Sequence, residues 1–238
     1  MLFHHSPEIW RDFPELVPGV LFAQGITSDA HVDAAIDRFN AVAQARLAAS
    51  GAGELPEIQA WRRAFSKMGL KPTQYRCASE SLLRRFRKEG ALPRLHPLVD
   101  LCNALSLAYA VPVAVFDVSR IAHGLEVRHA RGDESYLGFS GETENPQREE
   151  VIFADAAGNA HARRWAHRQS AYSAVRSDTA QVLIVAEGLH AAAPEDVARL
   201  IAALAQDLRQ AWGVTAETGV LGAASPRFEF SPQSCPSS

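Results

Sequence analysis

The stretch His96-Pro-Leu-Val-Asp-Leu-Cys-Asn-Ala-Leu-Ser-Leu-Ala-Tyr-Ala-Val-Pro-Val-Ala-Val-Phe-Asp117 joins an apolar helix to an apolar strand. The helix opens at Pro97, a residue favoured in the first turn, and its apolar positions continue through Leu107. Val111-Pro112 ends this helix, and the β-branched run that follows predicts a strand over 113–116. An apolar helix leading directly into an apolar strand indicates a core that contains both kinds of element.

The rest of the chain continues this mixture of helices and strands. Apolar residues at helical spacing predict four further helices, over 29–47, 56–68, 79–88 and 195–212. Short β-rich runs bounded by turn residues predict strands at 19–23, 125–128, 135–139, 151–154, 161–165 and 182–186. Because the two kinds do not alternate strictly, the sequence predicts an α+β fold, with a mixed β-sheet core layered with helices in a single domain.

The composition excludes several classes of protein. The 238 residues are 47% hydrophobic and 21% charged, with a net charge of −3, which is typical of a globular chain. No apolar run approaches the roughly 18 residues of a membrane span, and no signal peptide is visible. Three cysteines without CxxC spacing predict reduced thiols. We therefore expect a cytoplasmic protein that has no contact with a membrane.

Positive charge is concentrated in two stretches. Residues 61–94 contain ten Lys and Arg but only two acids, Glu80 and Glu89. A second basic group follows at 163–176. A solvated helix face normally carries acids one turn away from its cations, and such acids are nearly missing here. The pattern favours a surface that binds a polyanion.

Standard catalytic signatures do not occur in the sequence. There is no GxSxG, HExxH or GxGxxG motif, and we expect neither a metal nor an organic cofactor. His4-His5 is interpreted as a mobile surface pair, and Cys102, on an apolar helix, as a buried and unreactive thiol.

Three placements of polar residues indicate a site. Asp100 and Asn103 share one face of the apolar helix, where they either hold neighbouring backbone or face a pocket. Glu187 follows the strand at 182–186, where a carboxylate can bind an amine or guanidinium, or serve as a structural cap. The segment 164–170 combines cations, an indole ring and amide donors, which suits a nucleotide.

A series of motifs follows a characteristic order: Leu98-Val-Asp-Leu-Cys-Asn103, Pro112-Val-Ala-Val-Phe-Asp117, Val127-Arg-His-Ala130, Val151-Ile-Phe-Ala-Asp155 and Asp178-Thr-Ala-Gln-Val-Leu-Ile184. In this order and spacing, the chain resembles the tRNA-binding and editing (B3/B4) domain of the phenylalanyl-tRNA synthetase β subunit. Lys71-Pro-Thr-Gln-Tyr-Arg76 and Arg163-Arg-Trp165 look more like the free-standing members of that family. The resemblance implies a B3/B4-like core at 61–190, and residues 1–60 are expected to be the N-terminal strand-helix portion of the same domain. The sequence pattern predicts a C-terminal helix at 191–213 and a disordered tail at 214–238.

The resemblance also implies an activity, which is hydrolysis of the ester between a wrong amino acid and the tRNA 3′ adenosine. The chain differs from the synthetase domain where Ala114 replaces a His, Val185 replaces a Glu, and Arg168-Gln169 replaces a Gly-Gly pair. The acid is displaced to Glu187. These differences predict a rebuilt amino-acid pocket, and Glu187 points to a cationic amino acid such as arginine or an analogue.

We therefore expect a trans-acting deacylase whose partner is aminoacylated tRNA, not DNA. The residues expected to support hydrolysis are Asn103, Glu187 and Asp100. The expected pocket for substrate and adenosine contains Trp165, His167, Gln169 and Ser173. The expected tRNA contacts are Lys67, Lys71, Arg76, Arg84, Arg85, Arg87, Lys88, Arg164 and Arg168. Two alternatives are a non-catalytic RNA-binding module, and a protein that binds a free amino acid or small metabolite. The sequence does not predict an oligomeric state.

Overall fold

The structure, a computed structural model, describes residues 1–232. The helices of that range are α1 (Pro7–Asp12), α2 (Asp33–Ala49), α3 (Pro56–Lys67), α4 (Ala78–Glu89), α5 (Pro97–Tyr109) and α6 (Ala193–Trp212). Its strands are β1 (Leu2–His5), β2 (Val17–Gln24), β3 (Val113–Asp117), β4 (Gly124–His129), β5 (Tyr136–Leu137), β6 (Thr143–Glu144), β7 (Val151–Asp155), β8 (Ala160–Arg163), β9 (Arg168–Gln169), β10 (Gln181–Gly188), β11 (Glu217–Val220) and β12 (Arg227–Glu229).

The strands form two main sheets and one separate hairpin. The smaller sheet is antiparallel throughout, in the order β11-β2-β10-β3. The larger sheet has the order β12-β1-β4-β7-β8-β9, in which only the β1–β4 pair is parallel. Strands β5 and β6 form the hairpin. This combination of sheets and helices confirms the predicted α+β class with a mixed sheet and helical layers.

Strand β10 explains how the layers stack. Successive side chains of a strand point to opposite faces, and β10 is buried on both. Leu183 and Val185 lie in the core between the two sheets. Val182 and Ile184 lie in a second core, which they share with α2, α5 and α6. The molecule therefore has a helical layer, the smaller sheet and the larger sheet in that order, and its central strand is continuously apolar for this reason.

The predicted helices and the strand at 182–186 are confirmed, with ends displaced by a few residues. The predicted disordered tail is wrong for residues 214–232, where β11 and β12 extend the two sheets. Burial explains this order, because Phe228 and Phe230 are only 8% and 3% exposed. Residues 233–238 of that prediction lie outside the described range. None of the helices in residues 1–232 combines the length and apolar character that a membrane crossing requires.

Helix α6 lies close against β2 because position 19 carries no side chain. A Cβ atom at Gly19 would stand 2.5 Å from Cγ1 of Val197 and 2.6 Å from Cγ1 of Ile201. Both residues belong to the buried face of α6. Since β-branched side chains have little rotamer freedom in a helix, the added atom would displace the helix itself.

The substitution Gly19→Ala is expected to lower the free energy of unfolding by about 1–3 kcal/mol, because overpacking forces the backbone to shift. Urea denaturation measures this change. Gly222→Ala is the matched control, because its added Cβ would meet nothing within 4 Å. That variant is expected to stay within about 0.5 kcal/mol of the parent protein. Equal stabilities of the two variants would contradict the close approach of α6.

Candidate functional site

Two neighbouring cavities lie between α5, β3 and the β8–β9 region. The large cavity, of about 270 Å³, is lined by Leu95, His96, Val99, Cys102, Asn103, Val113, Val115, Phe139, Gln169, Ala174 and Val175. The small cavity, of about 60 Å³, is lined by Ala78, Pro112, Val113, Ala114, Phe153, Ala162, Trp165, Ala166, His167, Arg168, Gln169, Val185 and Glu187. Both share Val113 and Gln169, so the two cavities are adjacent, and together they are called the cleft, with a large and a small compartment.

A buried carboxylate borders the small cavity. The indole Nε1 of Trp165 donates to both carboxylate oxygens of Glu187, at 3.0 and 3.1 Å, and Nε2 of His5 lies 2.7 Å from Oε1. The indole Nε1 of Trp61 donates to the backbone carbonyl of Glu187 at 3.2 Å. A carboxylate offers about four acceptor positions. Glu187 is therefore held by three other segments and can still accept a donor from a ligand.

His5 belongs to this site although the sequence did not indicate it. The interpretation of His4-His5 as a mobile surface pair is wrong for His5, which is 3% exposed. Its strand β1 pairs with β4, with His5 opposite Val127, and this register carries the imidazole into the core. Since 182 residues separate His5 from Glu187, sequence spacing could not reveal the contact.

Two of the three positions at which the chain is expected to differ from the synthetase domain are neighbours in the smaller sheet. Ala114 and Val185 are register partners across β3 and β10, and both line the small cavity. Glu187 stands two residues beyond Val185, so it projects from the same face of β10. The displaced acid thus remains in the same compartment. The short side chain of Ala114 leaves room beside it.

Helix α5 brings Asn103 into the cleft and keeps Asp100 out of it. Asn103 lines the large cavity, and its side chain forms no hydrogen bond within residues 1–232. The carboxylate of Asp100 accepts the backbone N–H of Leu95 at 2.9 Å, and it lines a separate depression that Asn103 also borders. Asp100 therefore fixes the loop before α5, and the structure does not bring it together with Glu187.

Trp165 is directed inward by a strained turn. Arg164 and Trp165 are consecutive left-handed residues, with φ of 47° and 55°, and such residues cost about 1–3 kcal/mol each. The carboxylate of Glu150 accepts the N–H of Arg164 at 2.9 Å, and the carbonyl of Val151 accepts the N–H of Trp165 at 2.7 Å. Trp165 is fully buried. Its ring lines the small cavity from within the core, and its indole holds Glu187.

Ser173 lies outside the cleft, contrary to its predicted place in the pocket. Its Oγ is 2.8 Å from Nδ1 of His161, and Nε2 of that ring is 3.1 Å from the carboxylate of Asp155. This order of groups matches a Ser-His-Asp triad. However, Ser173 and His161 are fully buried, so no substrate can reach the hydroxyl. The network is structural, and it joins β7 and β8 to the loop before β10.

His167 and Gln169 do line the cleft. The amide Nε2 of Gln169 donates to the carbonyl of Val115 at 2.5 Å, which fixes the side chain at the junction of the two compartments. His167 donates through Nδ1 to the carbonyl of Arg76 at 2.7 Å. Burial lowers the pKa of His167 below its usual range. The ring is therefore neutral near pH 7, and its Nε2 is an acceptor.

The two basic stretches of the sequence join into one surface. The rings of Tyr75 and His167 meet edge to face at 5.4 Å, and the guanidinium of Arg164 lies 4.7 Å from the ring centre of Tyr75. The N–H of Ala78 donates to the carbonyl of Ala166 at 2.7 Å. The segment that precedes α4 thus packs against the segment that lines the small cavity, and the combined basic surface borders the cleft.

The cations of this surface differ in their availability. Several predicted tRNA contacts have internal partners: Arg76 and Arg84 with Glu80, Arg85 with Glu89, Arg168 with Glu142, Lys67 with the carbonyl of Asp12, and Arg164 with Tyr75. Glu80 is fully buried and also binds Arg62, so it ties α3 to α4. Lys71, Arg87 and Lys88 are exposed, which makes them the cations best placed to contact phosphate.

Comparison with known families identifies the fold family. Residues 60–206, more than half of the chain, match the family described as B3/4 domain. The chain belongs to the B3/4 domain family. It is similar to the phenylalanine–tRNA ligase beta subunit of Coxiella burnetii, with 42% identity over 53 residues, which are 22% of this chain and 7% of that protein. It is likewise similar to the Thiobacillus denitrificans subunit, with 34% identity over 77 residues, which are 32% of this chain and 10% of that protein.

The similarity to whole synthetase subunits is therefore local, because the matched regions span a tenth or less of those curated relatives. Among solved structures, an N-terminal fragment of the phenylalanyl-tRNA synthetase beta subunit from Pyrococcus horikoshii is 11% identical to this chain. The superposition has a TM-score of 0.48 and covers 90% of this chain and 49% of that fragment.

Two exposed apolar side chains stand at the rim of the large cavity of this B3/4 domain. Leu95 and Phe139 are each 71% exposed, and both belong to the cavity lining. Phe139 lies in the turn between β5 and β6. Both side chains therefore offer apolar surface at the mouth of this cavity. The sequence placed Phe139 in a predicted strand over 135–139, but only Tyr136–Leu137 form β5, and Phe139 lies beyond its end.

The thiol that borders the large cavity is not a nucleophile. Cys102 is buried, as the sequence predicted, and burial raises its pKa above the usual range. Cys77 is buried as well, and burial raises its pKa to about 11. The thiolate is the reactive form of cysteine, and neither residue forms it near neutral pH.

In a Cys235→Ser background, the folded protein is therefore expected to react slowly with a disulfide reagent such as dithionitrobenzoate at pH 8. The same sample in concentrated guanidinium is expected to release two equivalents of thionitrobenzoate at once, measured by absorbance. Burst labelling of the folded protein would contradict the burial of both thiols.

Proposed function

We propose that this B3/4 domain protein hydrolyses the ester that joins an amino acid to the 3′ adenosine of a mischarged tRNA, and that it acts in trans. The observation that supports the proposal is the combination of a cleft with two compartments, a buried carboxylate beside the smaller one, and a basic surface along its border. A tRNA acceptor end carries the same three features, namely a terminal nucleoside, an aminoacyl group and a phosphate backbone.

The large cavity suits the terminal adenosine. Phe139 and Leu95 at its rim offer apolar surface to the base, and aromatic stacking of this kind contributes about 1–3 kcal/mol per base. The amide of Asn103 makes no hydrogen bond inside the described range and can bind the ribose or the ester. The proposed adenosine therefore has an aromatic contact at the entrance and a polar contact on α5.

The small cavity suits the side chain of the amino acid. Its polar group is the carboxylate of Glu187, beside the small side chain of Ala114. A guanidinium forms charge-assisted hydrogen bonds to a carboxylate, and such bonds are about twice as strong as neutral ones. We therefore propose a cationic amino acid, arginine or an analogue of it, as the group that is removed.

The chemistry requires little from the protein, because an aminoacyl ester is already activated. A water oxygen adds to the ester carbonyl carbon, the bond from that carbon to the ribose oxygen breaks, and the ribose oxygen receives a proton. The protein has to position the ester and the water. Gln169 lies at the junction of the compartments, where the ester would lie, and Asn103 would approach it from the large cavity. The ribose hydroxyl next to the ester can assist the attack.

A second candidate is a tRNA-binding module without catalysis. The residues that favour it are Ala114 and Val185, because they leave this chain without the His and Glu of the synthetase domain. The two candidates share the basic surface and differ only in hydrolysis. A single assay of labelled aminoacyl-tRNAs, cognate and mischarged, with binding measured on the same samples, therefore separates them.

The substitutions Asn103→Ala and Glu187→Gln are expected to reduce deacylation about 10-fold to 100-fold. Asn103→Ala removes a hydrogen bond to the substrate, and Glu187→Gln removes the negative charge that faces the proposed guanidinium. Binding of uncharged tRNA is expected to persist in both variants. For Glu187→Gln the loss is expected to be greater on arginyl-type esters than on neutral ones.

Asn40→Ala provides the matched control for this experiment, because Asn40 borders the depression that Asn103 shares with Asp100 but lines neither compartment of the cleft. Selective hydrolysis of one ester by the parent protein supports the deacylase. Unchanged rates in both cleft variants would refute the assigned site. Background hydrolysis of every ester with tRNA still bound would establish the binding module, and amino-acid binding without tRNA binding would indicate a small-ligand protein.

The exposed cations of α4 are expected to set the salt dependence of tRNA binding. The double substitution Arg87→Ala with Lys88→Ala should lower the slope of log affinity against log salt by about 1 for each lost phosphate contact. Filter binding over a salt series measures the slope. Arg209→Ala, an exposed cation at the end of α6, should leave it unchanged. An unaltered slope in the double variant would place the tRNA elsewhere.

A further inference from the structure

Three ionisable side chains from distant parts of the chain meet behind the cleft. Glu57 lies in the first turn of α3, His190 follows β10, and Asp196 lies in the first turn of α6. One potential ligand atom from each lies within 4.8 Å of the others. The Nε2 atom of His190 is 2.8 Å from Oδ2 of Asp196. Three segments separated by up to 139 residues therefore converge on one small polar volume.

Two atoms of this group are buried without a hydrogen-bond partner. They are Oε2 of Glu57 and Nδ1 of His190, for which residues 1–232 supply no donor or acceptor. The two side chains are only 8% and 4% exposed. Buried polar atoms are almost always paired, because an unpaired one has lost its hydration without compensation. The lone pair of Glu57 Oε2 thus calls for a ligand. In the group the imidazole would offer Nε2, which now meets Asp196, and its Nδ1 would carry the ring proton.

An arginine holds each of the two carboxylates through one oxygen atom and does not occupy the other. Arg46 donates to Oε1 of Glu57 at 2.6 Å, and Arg199 donates to Oδ1 of Asp196. Each guanidinium orients one carboxylate, as the outer partners of metal ligands do. The two guanidinium groups already balance the formal charge of the two carboxylates. The group therefore does not lack a counter-ion, but its nitrogen and oxygen atoms lack a coordination partner.

We propose that Glu57, His190 and Asp196 bind a divalent metal ion of the zinc type. One imidazole nitrogen and two carboxylate oxygens form a donor set that Zn²⁺ accepts, at ligand distances of about 2.0–2.2 Å. Ligand atoms around a four-coordinate ion of this kind lie about 3.4 Å apart. The His190–Asp196 pair would therefore open from 2.8 Å, and the widest pair of the group would close from at most 4.8 Å.

The ion would act on structure, not on chemistry. None of its three ligands lines the cleft. Glu57 lies one helical turn before Trp61, whose indole holds the carbonyl of Glu187, and His190 follows Glu187 by three residues. Coordination would therefore brace α3 against the chain end of β10 and fix the backbone that carries Glu187. This site stands independently of the proposed deacylation.

The test uses the untagged full chain after treatment with a chelator. Titration with Zn²⁺ in a calorimeter is expected to show one equivalent bound, and the melting temperature is expected to rise by several degrees. Addition of Co²⁺ is expected to produce the visible absorption of a nitrogen- and oxygen-ligated site of low symmetry, which Zn²⁺ then abolishes. The absence of stoichiometric binding by the parent protein would by itself overturn the proposal and assign the unpaired atoms to a water molecule.

The variants locate the ion. Glu57→Gln and His190→Gln are expected to lose both the Zn²⁺-dependent rise in melting temperature and the Co²⁺ absorption. Asp207→Asn is the matched control, because Asp207 is also a buried carboxylate bonded to an arginine, and it is expected to retain both. Retention of the signals in Glu57→Gln would place the ion elsewhere. If a variant fails to fold, the titration of the parent protein still decides whether the ion binds.

Discussion

The buried carboxylate of Glu187 is the interaction on which the rest of this structure depends. A carboxylate inside a protein is costly unless donors meet it, and here the donors come from Trp165 and His5. Each donor has a structural requirement of its own. His5 reaches the carboxylate only because β1 lies between β12 and β4, and Trp165 only because two residues adopt left-handed backbone. The architecture therefore converges on a single acidic group.

The central strand also determines where the cleft opens. The pairing of β3 with β10 ends at Val113 and Ala186, and Glu187 is the next residue. The carboxylate thus stands where the sheet loses one neighbour, and strand alternation places Val185 on the same face. The first residues of β10 belong to the apolar core, and its last residues carry the polar group of the site. The site is for this reason part of the core, not an addition to it.

The sequence predicted the fold class, the helices and the central strand, because those depend on local periodicity. It also identified Glu187, Asn103, His167 and Gln169 as cleft residues, through their position after apolar segments or within a family motif. It also placed Trp165 there, which lines the small cavity from a fully buried position, but it misplaced Ser173, because a sequence does not distinguish a buried hydroxyl from a surface one. It missed His5 and the group around Glu57, since only the tertiary fold brings such distant residues together.

The turn at Arg164 and Trp165 connects the basic surface to the small cavity. Arg164 rests on the ring of Tyr75 within the basic surface, whereas the next residue places its indole on the buried carboxylate. The contact of Arg164 with Tyr75 and the contact of Trp165 with Glu187 are thus joined by one peptide bond, whose flanking residues both have a sparsely populated backbone conformation. Position 164 therefore belongs to two parts of the molecule at once. Its guanidinium is part of the basic surface, and its backbone sets where the indole of the next residue lies in the floor of the small cavity.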